Sequence, residues 1–250
     1  MQPSETTSLF VFHGELAAIL RTPHQRGVVE VEAARSASLK DALEASGPPH
    51  TEVHDLLVDG READFNTPLR PATRVDLFPP FPPINPTVDT RLRPGLPRVA
   101  FLVDKNVGKL ATLLRLIGHD AAYAEETPDP EIAAWAETEQ RIVLSKDHRL
   151  LKRARIHHGR LVRAVQPADQ LKEIAALYGL SAAPAFTRCL KCNTPLQPVD
   201  KQDILHRLEP KTKRYFHSFH ICPECNQIYW PGSHTKRMRE LLEELGLDEE

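Results

Sequence analysis

Long apolar runs and cysteines are both scarce in this sequence of 250 residues. No apolar run approaches the roughly 18 residues of a membrane span, and no charged-then-apolar segment opens the chain. We therefore expect neither a signal peptide nor a transmembrane helix, and we expect a cytoplasmic protein. An apolar content of 41% is nonetheless ordinary for globular proteins, so the chain can build a real core.

The four cysteines form two close pairs, Cys189-x-x-Cys192 and Cys222-x-x-Cys225. In a chain that is not secreted, such pairs favour zinc over disulfides. Two such knuckles present four thiolates tetrahedrally, which fills the coordination sphere and makes the zinc structural, not catalytic. The sequence thus predicts a zinc-ribbon domain with a C-terminal helix in residues 184–250.

Residues 1–80 follow the order β-β-α-β-β. Strands are predicted at 7–13 and 27–33, a helix between Ser38 and Gly47, and further strands around an Asp59-Gly60 turn. This order resembles the β-grasp, ubiquitin-like fold, particularly the sulfur carriers of thiamin and molybdopterin synthesis. Those carriers end in Gly-Gly, whereas this domain runs into FPPFPPINP. A docking or regulatory module with a protein partner is therefore favoured over a carrier.

A proline-rich linker is predicted at residues 81–97, because residues 79–97 contain seven prolines. Such a stretch is extended and fairly stiff. In residues 98–183, short apolar runs then alternate with helical patterns, which is typical of βαβ units. We predict a three-layer α/β domain with a parallel sheet.

Three aspartates of this domain fall where strands end or helices begin. Asp104 closes RVAFLVD, Asp147 follows RIVLS, and Asp129 lies in the TPDPE loop. In open parallel sheets, ligands bind at the carboxyl ends of the strands, and gathered carboxylates call for a cation. We predict a magnesium or manganese site, with Glu125 and Glu126 as weaker ligands. The alternative is that Asp129 and Asp147 merely cap helices.

The charge is unevenly distributed along the chain. Residues 141–163 contain eight lysines and arginines, three histidines and a single acid, whereas residues 1–90 contain 13 acids and seven lysines and arginines. A basic block around one aspartate indicates a polyanion held beside a metal. The alternative is an ordinary solvated helix face.

Several motifs also resemble a known family, the Mut-seven C-terminal RNases, which is similar to PIN-domain nucleases. The matching stretches are Asp104–Ala111 (DKNVGKLA), Leu114–Asp120 (LRLIGHD), Asp129, Arg141–Asp147 (RIVLSKD), Arg188–Asn193 (RCLKCN), Cys222–Cys225 and Tyr229–His234 (YWPGSH). Ser145-Lys146 departs from the threonine-arginine that is common there, and Val107 from leucine. The resemblance implies a PIN-like domain preceded by a ubiquitin-like domain.

The resemblance also implies hydrolysis of RNA phosphodiester bonds with a divalent metal. For such a nuclease we expect Asp104 and Asp147 as direct metal ligands, with Asp129 completing the cluster directly or through water. Arg115 and Ser145 are further catalytic candidates, and Ser145 would support Asp147 or bind a phosphate. Arg115 would clamp a phosphate or a carboxylate; otherwise it is a snorkelling surface arginine. The predicted RNA contacts are Lys105, Lys146, Arg149 and, in the ribbon, Arg188.

Two other classes of function stay open. The runner-up is a non-catalytic RNA-binding protein that uses the basic block and the ribbon, since a fourth acid has no clear counterpart beyond Asp169. A protein-interaction adaptor led by the β-grasp domain is a third. In the ribbon, Tyr215, Phe216 and Phe219 either stack on bases or form its small core, and Trp230 is expected in that core.

Overall fold

A computed structural model describes residues 6–21, 27–32 and 38–247 of the chain. Residue 33, the last of the second predicted strand, and the side chains of Ser233 and His234 lie outside the described part. None of the helices in that part combines the length and apolar character that crossing a bilayer requires.

The N-terminal sheet is a β-grasp. Its elements are β1 (Thr7–Phe12), β2 (Val28–Glu32), α1 (Leu39–Ser46), β3 (Asp55–Val58), β4 (Arg61–Glu62) and β5 (Arg74–Phe78). The strand order is β2-β1-β5-β3-β4, with β1 and β5 parallel and the other pairs antiparallel. Helix α1 starts at the capping box of Ser38 and Asp41 and ends at Gly47, where the φ of 140° suits glycine. The predicted element order is confirmed.

The central sheet is parallel, as predicted. Its elements are β6 (Ala100–Asp104), α2 (Gly108–Leu116), β7 (Asp120–Ala124), α3 (Asp129–Thr138), β8 (Ile142–Ser145), α4 (His148–Leu151), β9 (Gly159–Leu161) and α5 (Pro167–Tyr178). The strand order is β7-β6-β8-β9. From β6 the chain passes to β7 on one side of β6 and then returns to β8 on the other side. The loops that follow β6 and β8 therefore diverge. We call the space between these two loops, at the carboxyl ends of β6 and β8, the crevice; ligands bind at this position in such sheets.

The C-terminal part contains a small antiparallel sheet and three helices. They are β10 (Gln197–Pro198), α6 (Lys201–Ile204), α7 (Pro210–Tyr215), β11 (His220–Ile221), β12 (Ile228–Tyr229) and α8 (Ser233–Glu244). Ile204, Leu208, Phe219 and Ile228 form the ribbon's own core, with Phe216 packed against it. Phe216 and Phe219 are thus core residues, whereas Tyr215 is 64% exposed.

The proline-rich segment contains neither helix nor strand, yet it is not a free spacer. The Ile84 N–H donates to the Leu177 carbonyl of α5 at 2.8 Å. Arg93 donates to the carbonyls of Thr51 and Val53 in the β-grasp domain. The segment is therefore fastened to both neighbours, through its backbone at Ile84 and through the Arg93 side chain, which satisfies backbone carbonyls of the β-grasp domain.

A buried acid joins the β-grasp domain to the edge strand of the central sheet. The side chain of Glu52 is 0% exposed and accepts from Arg160 at 2.9 Å and from Arg163 at 3.0 Å. It also accepts from the Leu161 N–H of β9 at 2.7 Å. Burial lowers the pKa of Arg160, but nearby carboxylates, Glu52 first, outweigh burial and raise it. The β-grasp domain thus covers β9, the edge strand of the central sheet, which could otherwise pair with a strand of another chain.

Candidate active site at the carboxyl edge of the central sheet

Asp104 lies at the carboxyl end of β6, in the crevice where the strand order reverses. It is only 5% exposed. Its Oδ2 accepts from the Ser145 hydroxyl and from the Asn106 side-chain amide, both at 2.6 Å. Within the described part of the chain no donor reaches its other oxygen, Oδ1. Oδ1 is not among the fully buried side-chain atoms that lack a partner, so solvent or a cation reaches it, and it can serve as a metal ligand.

Ser145 and Asn106 hold the two loops of the crevice together. The fully buried Ser145 hydroxyl also accepts from the Asp147 N–H at 2.9 Å. The Asn106 amide donates to Ser145 at 3.1 Å, and its oxygen accepts from the Lys146 N–H at 3.0 Å. The loop after β6 is therefore cross-linked to the loop after β8, which fixes where Asp104 and Asp147 point.

Asp147 is a helix cap as well as a neighbour of the crevice. Its Oδ1 accepts from the backbone N–H of Arg149 at 2.7 Å and of Leu150 at 3.4 Å, at the start of α4. The capping alternative is therefore confirmed for this residue. Capping occupies one oxygen and leaves Oδ2 without a hydrogen bond in the described residues. A capping role and a ligand role are thus compatible.

Asp129 is placed apart from the other two acids. It begins α3 without a side-chain capping bond, and its half-exposed carboxylate faces Arg153 at 3.6 Å. Among the described residues, only the four cysteines form a group of three or more metal-ligating side chains arranged to share one ion. The expectation that three aspartates already gather into one cluster therefore needs correction. Asp129 stays outside such a cluster because its carboxylate is paired with Arg153.

Most cations of the basic block are balanced by acids that lie outside the block. Arg141 pairs with Asp120 and Glu139, Arg153 with Asp129, Arg155 with Glu137, and Arg160 and Arg163 with Glu15 and Glu52. The block is thus not a continuous face for a polyanion. Lys105, Lys146 and Arg149 flank the crevice and take part in none of the ion pairs of the described residues. They stay predicted RNA contacts.

Arg115 lies on the opposite edge of the sheet from Asp104. It is 6% exposed, and its guanidinium donates to the carbonyls of Ala121, Leu190 and Lys191 at 2.8, 3.0 and 3.0 Å. Burial lowers its pKa, although Cys189 and Cys192 act in the other direction. Both sequence-based alternatives for Arg115, a phosphate clamp beside the acids and a snorkelling surface arginine, need correction: it anchors the first cysteine knuckle.

Arg188 and Asn193 complete this anchorage of the ribbon. Arg188 donates to the Gly118 carbonyl at 3.0 Å, just before β7. The Asn193 side chain accepts from the Ala121 N–H at 3.0 Å and donates to Asp120 at 2.8 Å. The predicted RNA contact of Arg188 therefore cannot be beside the acids, because these groups lie at the amino ends of the strands.

The four cysteines lie together in two knuckles with the same hydrogen bonds. The Asn193 N–H donates to the Cys189 carbonyl and the Asn226 N–H to the Cys222 carbonyl, both at 2.9 Å. Their φ angles of 70° and 58° are left-handed, which asparagine tolerates better than most residues. The sulfurs of Cys189 and Cys225 are 3.6 Å apart. Tetrahedral zinc with Zn–S bonds of about 2.3 Å places its sulfurs about 3.8 Å apart, so the four thiols can hold zinc.

Burial raises the pKa of Cys189, but hydrogen bonds to its sulfur, the Tyr229 hydroxyl first, outweigh burial and lower the pKa to about 7. The hydroxyl lies 3.2 Å from this sulfur and accepts from the Leu190 N–H at 3.1 Å. Tyr229 therefore ties β12 to the first knuckle.

Two residues that organise these sites had no predicted role. Asn106 stands two positions after the strand-ending Asp104, and Asn193 directly follows Cys192. A short amide side chain after a strand-ending acid, or after a Cys-x-x-Cys pair, is a usable signal, since asparagine bridges backbone and side-chain groups in turns.

Comparison with known proteins gives two family matches. The model of the Mut7-C RNAse domain matches residues 99–242, more than half of the chain, and the model of the Mut7-C ubiquitin matches residues 6–85. No curated protein matches. The crystal structure of the H. volcanii small archaeal modifier protein 1 is 18% identical, covers 30% of this chain and 99% of its own, and has a TM-score of 0.25, too low to bear on the fold.

Both domain matches occur in the order that the sequence motifs predicted, and the RNAse match includes the crevice residues and the cysteine knuckles. The chain belongs to the Mut7-C RNAse family, with a Mut7-C ubiquitin-like domain ahead of the RNAse domain.

Proposed function

We propose that the protein is a divalent-metal-dependent ribonuclease that hydrolyses RNA phosphodiester bonds at the crevice between β6 and β8. The observation that carries the proposal is Asp104: a carboxylate 5% exposed, oriented on Oδ2 by two donors and free of donors on Oδ1. Structural acids are normally satisfied on both oxygens or exposed. The match to an RNAse domain family gives the substrate class.

Oxygen donors of this kind suit Mg²⁺ or Mn²⁺. Asp104 and Asp147 would hold the ion, and Asp129 would join them, directly or through water, if it left Arg153. The ion would supply positive charge to the reacting phosphate and acidify the attacking water. Ser145 and Asn106 hold the Asp104 side chain and the Asp147 backbone in place, so that these two ligands are oriented before the ion arrives.

The cations that flank the crevice would guide the RNA backbone. Lys105 and Arg149 are exposed and Lys146 is half-buried, and each is within two residues of Asp104 or Asp147 in sequence. Unpaired lysines and arginines beside an acidic site attract phosphates while the acids hold the metal. These positions remain proposals for RNA contacts.

The test compares cleavage of labelled single-stranded and structured RNAs by the zinc-loaded protein in metal-free buffer, in Mg²⁺ and in Mn²⁺. Cleavage that appears only with added Mg²⁺ or Mn²⁺ is expected, because the proposed role of Asp104 and Asp147 is to hold the divalent ion that activates the attacking water. The matched variants are Asp147→Asn, which should lose activity, and Asp203→Asn on the exposed helix α6, which should keep it. Binding without cleavage in any metal favours a non-catalytic RNA-binding protein instead.

We also propose that the four cysteines hold a structural zinc ion. The matching knuckle bonds and the close grouping of the four sulfurs support it. The zinc would lie at the amino edge of the central sheet, on the far side from Asp104. It would therefore stabilise the ribbon and take no part in cleavage.

Arg115→Met should weaken zinc retention. The substitution removes the donors to the Leu190 and Lys191 carbonyls inside the first knuckle. Groups that orient metal ligands typically contribute about tenfold or more to affinity, so we expect zinc transfer to a chromogenic chelator to become about tenfold faster. Arg98→Met is the matched control, since Arg98 is exposed at the same sheet edge. Unchanged transfer with lowered stability would show that Arg115 only fills space.

A further inference from the structure

A cavity of about 540 Å³ lies between the zinc ribbon and helix α8. Its walls include Phe186, Tyr229, Trp230 and Met238, and two arginines, Arg188 and Arg239, also line it. Trp230, expected in the ribbon core, is instead 37% exposed at this cavity. Tyr229 and Arg188 also hold the first cysteine knuckle in place, whereas Trp230, Met238 and Arg239 have no part in the zinc site or the crevice as described above.

The chemistry of the walls fits a base that carries a phosphate. The Arg239 guanidinium lies 5.3 Å from the centre of the Phe186 ring, within cation–π range, and Arg239 is an exposed residue. Rings that stack on bases beside cations that hold phosphates characterise single-stranded RNA sites.

The cavity is well separated from the crevice. Arg188 donates to the Gly118 carbonyl just before β7, whereas Asp104 ends β6, and β6 and β7 run parallel. A five-residue strand at about 3.3 Å per residue spans roughly 16 Å, so the two sites lie at opposite edges of the sheet. One nucleotide cannot reach both, but a longer single strand can.

We propose that this cavity is a second RNA-binding site, in which a base of single-stranded RNA stacks against Trp230 and its phosphate pairs with Arg239. The substrate class rests on the proposed ribonuclease function, but base binding itself does not require cleavage. The site would hold an RNA strand whose other part lies in the crevice, and it would therefore favour longer single-stranded substrates.

The test measures binding of a labelled single-stranded RNA of about 12 nucleotides, within the range of known single-strand sites, by the full zinc-loaded chain. All proteins carry Asp104→Asn, so that the RNA is not cut. Trp230→Leu and Arg239→Gln should each weaken binding by roughly tenfold, in line with the loss of one stacked base or one bound phosphate. Arg237→Gln, the same charge change on the same helix but outside the cavity lining, should change affinity less than about twofold.

A base-free polyanion, polyphosphate, separates stacking from charge. Trp230→Leu should bind polyphosphate as well as the parent protein does, whereas Arg239→Gln should bind it less well. Equal RNA affinity of the parent protein and both variants, with zinc content intact, would overturn the proposal and leave the apolar wall as a surface for a protein. The two proposals can also fail separately. If the protein with Asp104 intact cuts no RNA, but Trp230→Leu and Arg239→Gln still weaken RNA binding, the nuclease is refuted and the cavity site is retained.

Discussion

Asp104→Asn should abolish metal-dependent RNA cleavage, by at least roughly 10²–10³-fold, while the protein stays folded. The amide keeps the volume of the side chain and can still accept from Ser145 and Asn106, but it removes the charge that would hold a divalent ion. Because the carboxylate is buried without a cation in the free protein, its removal should leave the free energy of unfolding unchanged or higher. Cleavage rates with Mg²⁺ or Mn²⁺ and urea unfolding, measured on the same preparations, test both parts.

The stability result separates a ligand from a structural acid. An ion-paired acid costs stability when it is neutralised, whereas a ligand that awaits its metal does not. Asp147→Asn serves as the comparison, since asparagine caps helices about as well as aspartate and should keep α4 intact. Lower stability of Asp104→Asn with retained cleavage would refute the metal site. Lost cleavage in both variants with intact stability would support it.

Local signals in the sequence were sufficient to predict the helices and strands and the strand-ending acid, Asp104. Apolar runs of strand length, Ser38 with its capping box and an acid directly after RVAFLV each report on their own neighbourhood, and the structure has the elements that they predict. The two Cys-x-x-Cys pairs are equally local, because each knuckle is closed by bonds within five residues. Such features need no knowledge of distant contacts.

The position of Arg115 could not be read from the order of residues alone, but the topology of a parallel sheet predicts it. Arg115 lies on the helix that follows Asp104, and it was predicted to clamp a phosphate or a carboxylate. A helix that joins two parallel strands, however, carries the chain from the carboxyl edge back to the amino edge of the sheet. Arg115 is near the end of α2 and therefore lies at the amino edge, where the ribbon docks.

The basic block failed as a signal for a different reason. Counting charges within residues 141–163 leaves out the acids that folding brings to them from elsewhere. Glu15 and Glu52, more than 100 residues away in sequence, neutralise Arg160 and Arg163. A local excess of charge therefore predicts a polyanion site only where tertiary contacts leave the cations unpaired, as for Lys105 and Arg149.

Glu52→Ala should destabilise the protein more than any exposed charge change and should loosen the β-grasp domain. Glu52 is completely buried and bridges Arg160, Arg163 and the Leu161 N–H. Removing one partner of a buried ion pair typically costs about 3–5 kcal/mol, because the remaining charge stays desolvated. Glu15 and Glu173 also contact Arg160 and will offset part of that cost, so we expect about 3 kcal/mol.

The matched control is Glu62→Ala, in the same domain, whose pair with Arg91 leaves both side chains more than half exposed. Exposed pairs contribute at most about 1 kcal/mol, so urea unfolding should separate the two variants clearly. Limited proteolysis should cut Glu52→Ala first between the domains, in residues 79–97, because the anchored segment loses the interface that holds both of its ends. Equal stability of the two variants would mean that the β-grasp domain is not held through Glu52. The contacts of Glu15 with Arg160 and Arg163, and of His50 with the Ile156 carbonyl, would then be the ones that hold the two domains together.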